Sequence, residues 1–207
     1  MANFNLDVTL TKALEHFQNR DAFDMARKSG AEFKDNQFYF DFLNSSVQVG
    51  YPDGTAVFQD TRQEIGLIER ILLLHYLVHA GGSSLTGKII SFKELPGGSI
   101  YIEPFTNRCI RPLTFLFGKD LEGFRQAAEL CGGIKQSFGD ISYCFKALPN
   151  IPVTFVLWAE DDEFPANANI IFDETASDYL PTEDYAFLCG MVVGMLKNAK
   201  GVNEKTD

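Results

Sequence analysis

The 207 residues carry 18 Lys and Arg against 28 Asp and Glu, a formal net charge of −10 at pH 7. That excess of acid argues against nucleic acid or an anionic membrane surface as partner, since both are held through a basic face that releases counterions. A hydrophobic share of 45% and a charged share of 22% are those of an ordinary folded chain, and the length suits one domain over residues 1–207 with a frayed tail at about 200–207.

Residues 9–29 predict one or two helices, with Leu14, Phe17, Phe23 and Met25 on a loose apolar face and Asp21 placed to cap the second. From Gln37 the period changes to two, and FYFDFL followed by SSVQVGY predicts a hairpin turning at Asn44-Ser45. Pro52-Asp53-Gly54 is a turn tripeptide with a short strand, Ala56–Phe58, after it. The dominant helix is expected over residues 63–80, QEIGLIERILLLHYLVHA. Its apolar positions Ile65, Ile68, Leu72, Leu73, Tyr76 and Leu77 fall at helical spacing. Leu67, Ile71, Leu74 and Val78 fill most of the remaining circumference, which predicts a helix buried through the middle of the fold and closed by Gly81-Gly82.

After the loop GGSSLTGK come an expected strand at 89–92, a tight turn at 94–98 and a returning strand at 99–105. PLTFLFG is ambiguous between helix and strand, and Leu121–Leu130 reads as a helix closed by Gly132-Gly133. Strands are expected at 140–148, 153–158 and 170–172, then a final helix at 181–197 whose Glu183 and Asp184 suit the positive end of the helix dipole. Strands joined by short turns, with helices inserted between hairpins, predict an α+β fold with a largely antiparallel mixed sheet around the buried central helix.

Cys109, Cys131, Cys144 and Cys189 are scattered without any CxxC, so neither a zinc ribbon nor a redox dithiol is encoded locally. The start MANFNLDVTLTK lacks the basic and apolar regions of a signal peptide, and no apolar run is long enough to span a bilayer. The expected location is the cytoplasm, with reduced thiols. With 19 Phe and 1 Trp, the aromatic content suits either a Phe-filled core or a pocket with aromatic walls.

Three stretches invite a chemical reading. Gly82 to Lys88 matches the GxxxxGK phosphate loop, but Ile89 supplies no hydroxyl for Mg²⁺, and the helix precedes the loop instead of following it. His75 and His79 stand one helical turn apart, the spacing for a shared metal or an axial ligand to a macrocycle; the bland alternative is one buried histidine and one helix cap. In WAEDDEFP, an apolar strand ending at Trp158 delivers Glu160, Asp161, Asp162 and Glu163 to a turn. The returning strand is expected to bring Asp173 and Glu174 to the same edge. Such carboxylates can hold a hard cation or one proton at raised pKa, or can simply be a solvated acidic turn.

The run LLLHYLVHAGG, then LTGKIISFKELPGGSIYIEPF, then the long segment from GGIKQSFGD to YLPTED resembles an uncharacterised bacterial and archaeal domain-of-unknown-function family, over about residues 21–197. That family is associated with anaerobes, and some members are fused to a four-cysteine iron–sulfur motif of corrinoid methyl-transfer proteins; this chain has no such cysteine quartet. The resemblance implies a setting in corrinoid or one-carbon metabolism, with a small-molecule ligand or a corrinoid protein as partner. It carries His75, Tyr76, Trp158, Asp161, Glu163 and Asp173 over as candidate ligand-binding residues. The leading expectation is therefore a cytoplasmic, non-catalytic ligand- or cofactor-binding domain, with a corrinoid or other tetrapyrrole as the expected cofactor. The alternatives are a metal-assisted enzyme using Asp161, Glu163, Asp173 and His75, and an interaction module docking a basic partner on the acidic turn.

Overall fold

The computed structural model describes residues 6–203. They divide into two units, one taking in the chain up to Ser84 with Leu148–Asn150 and Asp178–Pro181, the other Leu85–Ala147, Ile151–Ser177 and the remainder from Thr182.

In the first unit, helices α1 (Leu6–Gln18) and α2 (Ala22–Ser29) lead into an antiparallel sheet of order β1-β2-β3-β4, formed by Glu32–Lys34, Gln37–Phe42, Ser45–Gly50 and Ala56–Phe58. Asp21 caps α2 as its position predicts, accepting from the Asp24 N–H at 2.7 Å, and Gly30 closes the helix at φ +75°. Along β2, Phe38, Phe40 and Phe42 are buried while Asp41 between them is exposed, the period of a half-buried strand. Phe40 pairs with Val47 and Phe38 with Val49 across to β3. The hairpin turns at Leu43 and Asn44, both at positive φ, one residue earlier than expected.

Helix α3 (Leu67–His79) packs on α1 and α2. It is shorter than the apolar pattern suggests, because the helix starts only after Gly66 and ends at Ala80 before the glycine pair. Ile71 to Leu74 are all buried, as are Tyr76, Leu77 and Val78, so most of its circumference is core. The turn Pro52-Asp53-Gly54 is tied to it through Arg70, whose guanidinium donates to the Gly54 and Asp53 carbonyls.

The second unit is built on an antiparallel sheet of order β5-β9-β8-β7-β6, with β5 Ile89–Ser91, β6 Ile134–Gln136, β7 Ile141–Leu148, β8 Ile151–Trp158 and β9 Asn167–Asp173. The strands thus form two sheets within the α+β class. The middle strand β8 is buried along nearly its whole length, which its continuous apolar run requires. Helices α4 (Gly98–Phe105), α5 (Arg111–Phe117), α6 (Leu121–Leu130) and α7 (Thr182–Asn203) complete the unit. Of the tail expected to fray, residues 204–207 lie outside the described residues, and α7 itself runs to Asn203. Phe92, Phe105 and Phe172 cluster in this core, with the Phe92 and Phe105 rings stacked at 3.9 Å and Tyr185 edge-on to Phe172.

The strand expected at 99–105 is a helix. Its alternating Ile100 and Ile102 mimic a strand, but the buried residues Phe105, Cys109, Leu113 and Phe117 recur every four positions, a helical stripe. A strict four-residue repeat drifts against 3.6 residues per turn. The π-helical turn Thr106–Ile110 between α4 and α5 takes up that drift and keeps the stripe on one side. PLTFLFG is likewise helical. The chain enters α4 through Gly98, where any Cβ would overlap the Phe92 carbonyl oxygen. Gly98→Ala is expected to cost about 1–3 kcal/mol through forced displacement of this packed turn, read as a lower urea midpoint at unchanged slope.

Candidate functional site

Strand pairing decides what surrounds the acidic turn. Trp158, the last residue of β8, pairs with Asn167, the first of β9, and the chain between them forms the turn. Asp161 organises it: its N–H donates to the Phe164 carbonyl at 3.0 Å, while its Oδ1 accepts from the N–H groups of Glu163 (2.9 Å) and Phe164 (2.7 Å). Those bonds favour the ionised form and hold the Asp161 carboxyl below its ordinary value. Asp140 comes in from the start of β7. Its Oδ2 accepts from the Ala159 N–H at 2.8 Å and its own N–H donates to the Leu157 carbonyl.

Together these residues line an open cleft of about 630 Å³ whose walls include Asp140, Trp158, Asp161, Phe164 and Asn167. Trp158 is 38% exposed and Phe164 65% exposed, so two large aromatic rings face solvent beside two carboxylates. Glu163 is exposed on the same turn, and Glu160 pairs with Lys119 at 2.9 Å. Of the residues singled out from sequence, the cleft gathers Trp158 and Asp161. Asp140 was missed because nothing local in the sequence marks a residue that arrives through strand register.

Asp173 does not join this turn. β9 runs antiparallel to β8, so its two ends are about 20 Å apart over six residue steps, and Asp173 lies at the far one. There it is buried, 7% exposed. Its Oδ2 accepts from the Gly87 N–H at 2.7 Å, and its Oδ1 from the Thr175 hydroxyl (2.8 Å), the Thr175 N–H (3.1 Å) and the Thr86 N–H (3.3 Å). Lys88 pairs with Glu174 at 2.7 Å. The end of the segment that resembles a phosphate loop therefore wraps its amides around an internal carboxylate, with Gly87 at φ +76°.

Burial pushes the Asp173 carboxyl up, but the hydrogen bonds from Thr175, Gly87 and Thr86 outweigh it and leave the group below its ordinary value. A carboxyl that binds its proton less readily when folded stabilises the fold above its ordinary value, and that contribution is lost as pH falls through the lower folded one. Asp173→Asn is expected to cost about 2–3 kcal/mol at neutral pH. The variant should also lose stability less steeply than the parent below about pH 4, measured as urea midpoints across that range.

The histidine helix belongs to the first unit. His75 is half-buried and His79 exposed, their rings edge-on at 6.0 Å. Among the described residues, no group of three or more His, Cys, Asp or Glu is placed to hold a metal ion. Tyr76 is fully buried: its hydroxyl donates to the Ser29 carbonyl at 2.5 Å and accepts from the Asn150 N–H at 3.3 Å, and its burial raises its pKa. Asn150 also donates to the Ser29 and Lys28 carbonyls. Tyr76 is thus the hub of a buried polar staple. Tyr76→Phe is expected to cost about 1–2 kcal/mol, read by thermal melting.

None of the four cysteines forms a disulfide, and burial raises every thiol, that of Cys109 to about 12. No helix among the described residues is long and apolar enough to cross a membrane.

An α+β fold with an acid-and-aromatic cleft at one strand end is the class these observations define. The chain belongs to the family described as a domain of unknown function, DUF3786, whose model matches residues 21–195. No curated protein and no solved structure matches it.

Proposed function

We propose that this domain is a non-catalytic binding module, and that its ligand presents a cationic group to the cleft lined by Trp158 and Phe164. What supports this reading is the convergence of two solvent-facing aromatic rings and the carboxylates of Asp161 and Asp140 on one concavity. A cation over an aromatic face gains about 0.5–2 kcal/mol, more as water is excluded. A chain of net charge −10 concentrates cations near its surface. Asp161, held below its ordinary value, is an anion at neutral pH and a poor proton donor. The thiols, all raised, are poor nucleophiles. These facts favour binding over chemistry.

A corrinoid, which the family resemblance implies, would find no axial histidine or cysteine ligand in the described lining of this cleft. The metal-assisted alternative fares no better: Asp173 is committed to Thr86, Gly87 and Thr175, and lies at the far end of β9 from Asp161.

Trp158 is the one tryptophan in the chain, so its emission reports on the cleft directly. Titration with tetramethylammonium and with spermidine should give saturable changes in that emission. Phe164→Ala, at an exposed side chain, should weaken both by about tenfold, equivalent to about 1.4 kcal/mol, without lowering the melting temperature. No response to either cation would sink the proposal. Saturable cobalamin binding with a spectral shift lost in His75→Ala would replace it with the corrinoid reading.

A further inference from the structure

A second concavity in the β5–β9 unit differs in kind from the acidic cleft. It measures about 370 Å³, the lower end of the range for small-molecule sites. Its walls are the 3₁₀ turn Phe92–Glu94 with Ser91 before it, one side of the helical segment from Ile102 to Ile110, and β9 at Ala168 and Asn169. None of its described lining residues is Asp or Glu, although the chain carries 28 of these against 18 Lys and Arg. On so acidic a chain, such a pocket is where an anion meets least repulsion.

The polar groups left available at its walls are donors. Asn169 accepts the Ile170 N–H on Oδ1 at 2.9 Å, which leaves its NH₂ as the available end of the amide. Lys93 brings an ammonium and Thr106 a hydroxyl; among the described residues, neither side chain has a hydrogen bond or ion pair, and the Asn169 NH₂ has no acceptor. Lys93 is exposed, while Thr106 and Asn169 are half-buried. Ser91, the remaining polar wall, already donates its hydroxyl to Glu94 Oε2 at 2.8 Å, and the same oxygen accepts the Ser91 N–H at 2.7 Å. Glu94 is thus engaged at Ser91 and is not part of the described lining.

The rest of the lining is apolar. Phe92 and Phe105, 2% and 1% exposed with their rings stacked at 3.9 Å, lie along it beside Ile102. Ile102, Thr106 and Ile110 recur every four residues on this wall, the same spacing that the π-helical turn Thr106–Ile110 keeps in phase for the buried stripe. Wide turns of this kind are frequent at functional sites. Here the turn holds a hydroxyl between two isoleucines at the edge of the pocket.

We propose that this pocket binds a small organic monocarboxylate. The Lys93 ammonium and the Asn169 NH₂ hold the carboxylate oxygens, Thr106 is a third donor, and a short hydrocarbon body lies against Phe92, Phe105 and Ile102. Hydrogen bonds between ionised groups are the strong ones, so Lys93 supplies the larger share of affinity. One cation matches one negative charge. A phosphate dianion would bring a second charge into a chain of net charge −10, and its further oxygens would face apolar side chains without donors. The site is separate from the Trp158 cleft and does not rest on the cation reading given above.

The test follows the intact ¹⁵N-labelled protein by NMR through the side-chain NH₂ signals of Asn169, assigned from their loss in Asn169→Ala. Titration with butyrate at constant ionic strength should shift them saturably, with a Kd on the order of 1 mM. Butyramide, the same shape without the charge, and inorganic phosphate should each bind at least about tenfold more weakly. Lys93→Ala, at an exposed side chain, should weaken butyrate by about tenfold, and Lys93→Arg should retain it. No saturable shift with butyrate would overturn the proposal, as would equal binding of butyramide or undiminished binding in Lys93→Ala. Tighter binding of phosphate would overturn the carboxylate as ligand class. Acetyl-Ala-Val with a free C-terminus separates the two sources of such a group: binding about tenfold tighter than butyrate would overturn the free acid in favour of a protein C-terminus.

Discussion

The lopsided pairing of β9 governs the second unit. Matched to β8 from Asn167 to Phe172, β9 sets Trp158 opposite Asn167 and carries Asp173 past the other end of the ladder. Matched to β5 for three residues only, it leaves residues 167–170 without a strand on that side, yet Ala168 and Ile170 are buried there. The same short pairing positions the Thr86 and Gly87 amides over Asp173. One strand register thus separates a buried structural carboxylate from a cluster of solvent-facing ones.

The separation matters because the two acids solve different electrostatic problems. Asp173 has lost most of its water, and a buried anion is tolerated only when donors replace that hydration; Thr175, Gly87 and Thr86 do so. Asp161 keeps its solvent and spends one oxygen on its own turn. Each group is held ionised, yet only the second faces a space that another molecule can enter.

Much of this was readable from the chain itself. The alternating Phe38, Phe40 and Phe42 declare β2, Asp21 and Gly30 bracket α2, and the apolar run from Val153, broken only by Thr154, marks a strand covered on both faces. Trp158 and Asp161 could be paired because they are neighbours along the chain. What escaped is non-local. Asp140 reaches Ala159 through the arrangement of β7 and β8, and Asp173 is removed from the turn by the direction of β9, relations that no short window encodes. Helix α4 was misread because β-branched Ile100 and Ile102 imitate a strand, whereas the deciding stripe from Phe105 to Phe117 runs on into α5.

The wide turn at Thr106–Ile110 holds one residue more than ordinary winding needs, and the helix after it has no such slack. Removing one residue from α5 ahead of Leu113, where nothing absorbs the change, would rotate everything after it by about 100°. Leu113 and Phe117, now fully buried, would swing away from the core, and exposed Phe115 would move toward it. Substitutions along this segment should be tolerated far more readily than any change in its number of residues, making its spacing a stricter heritable property than its spelling.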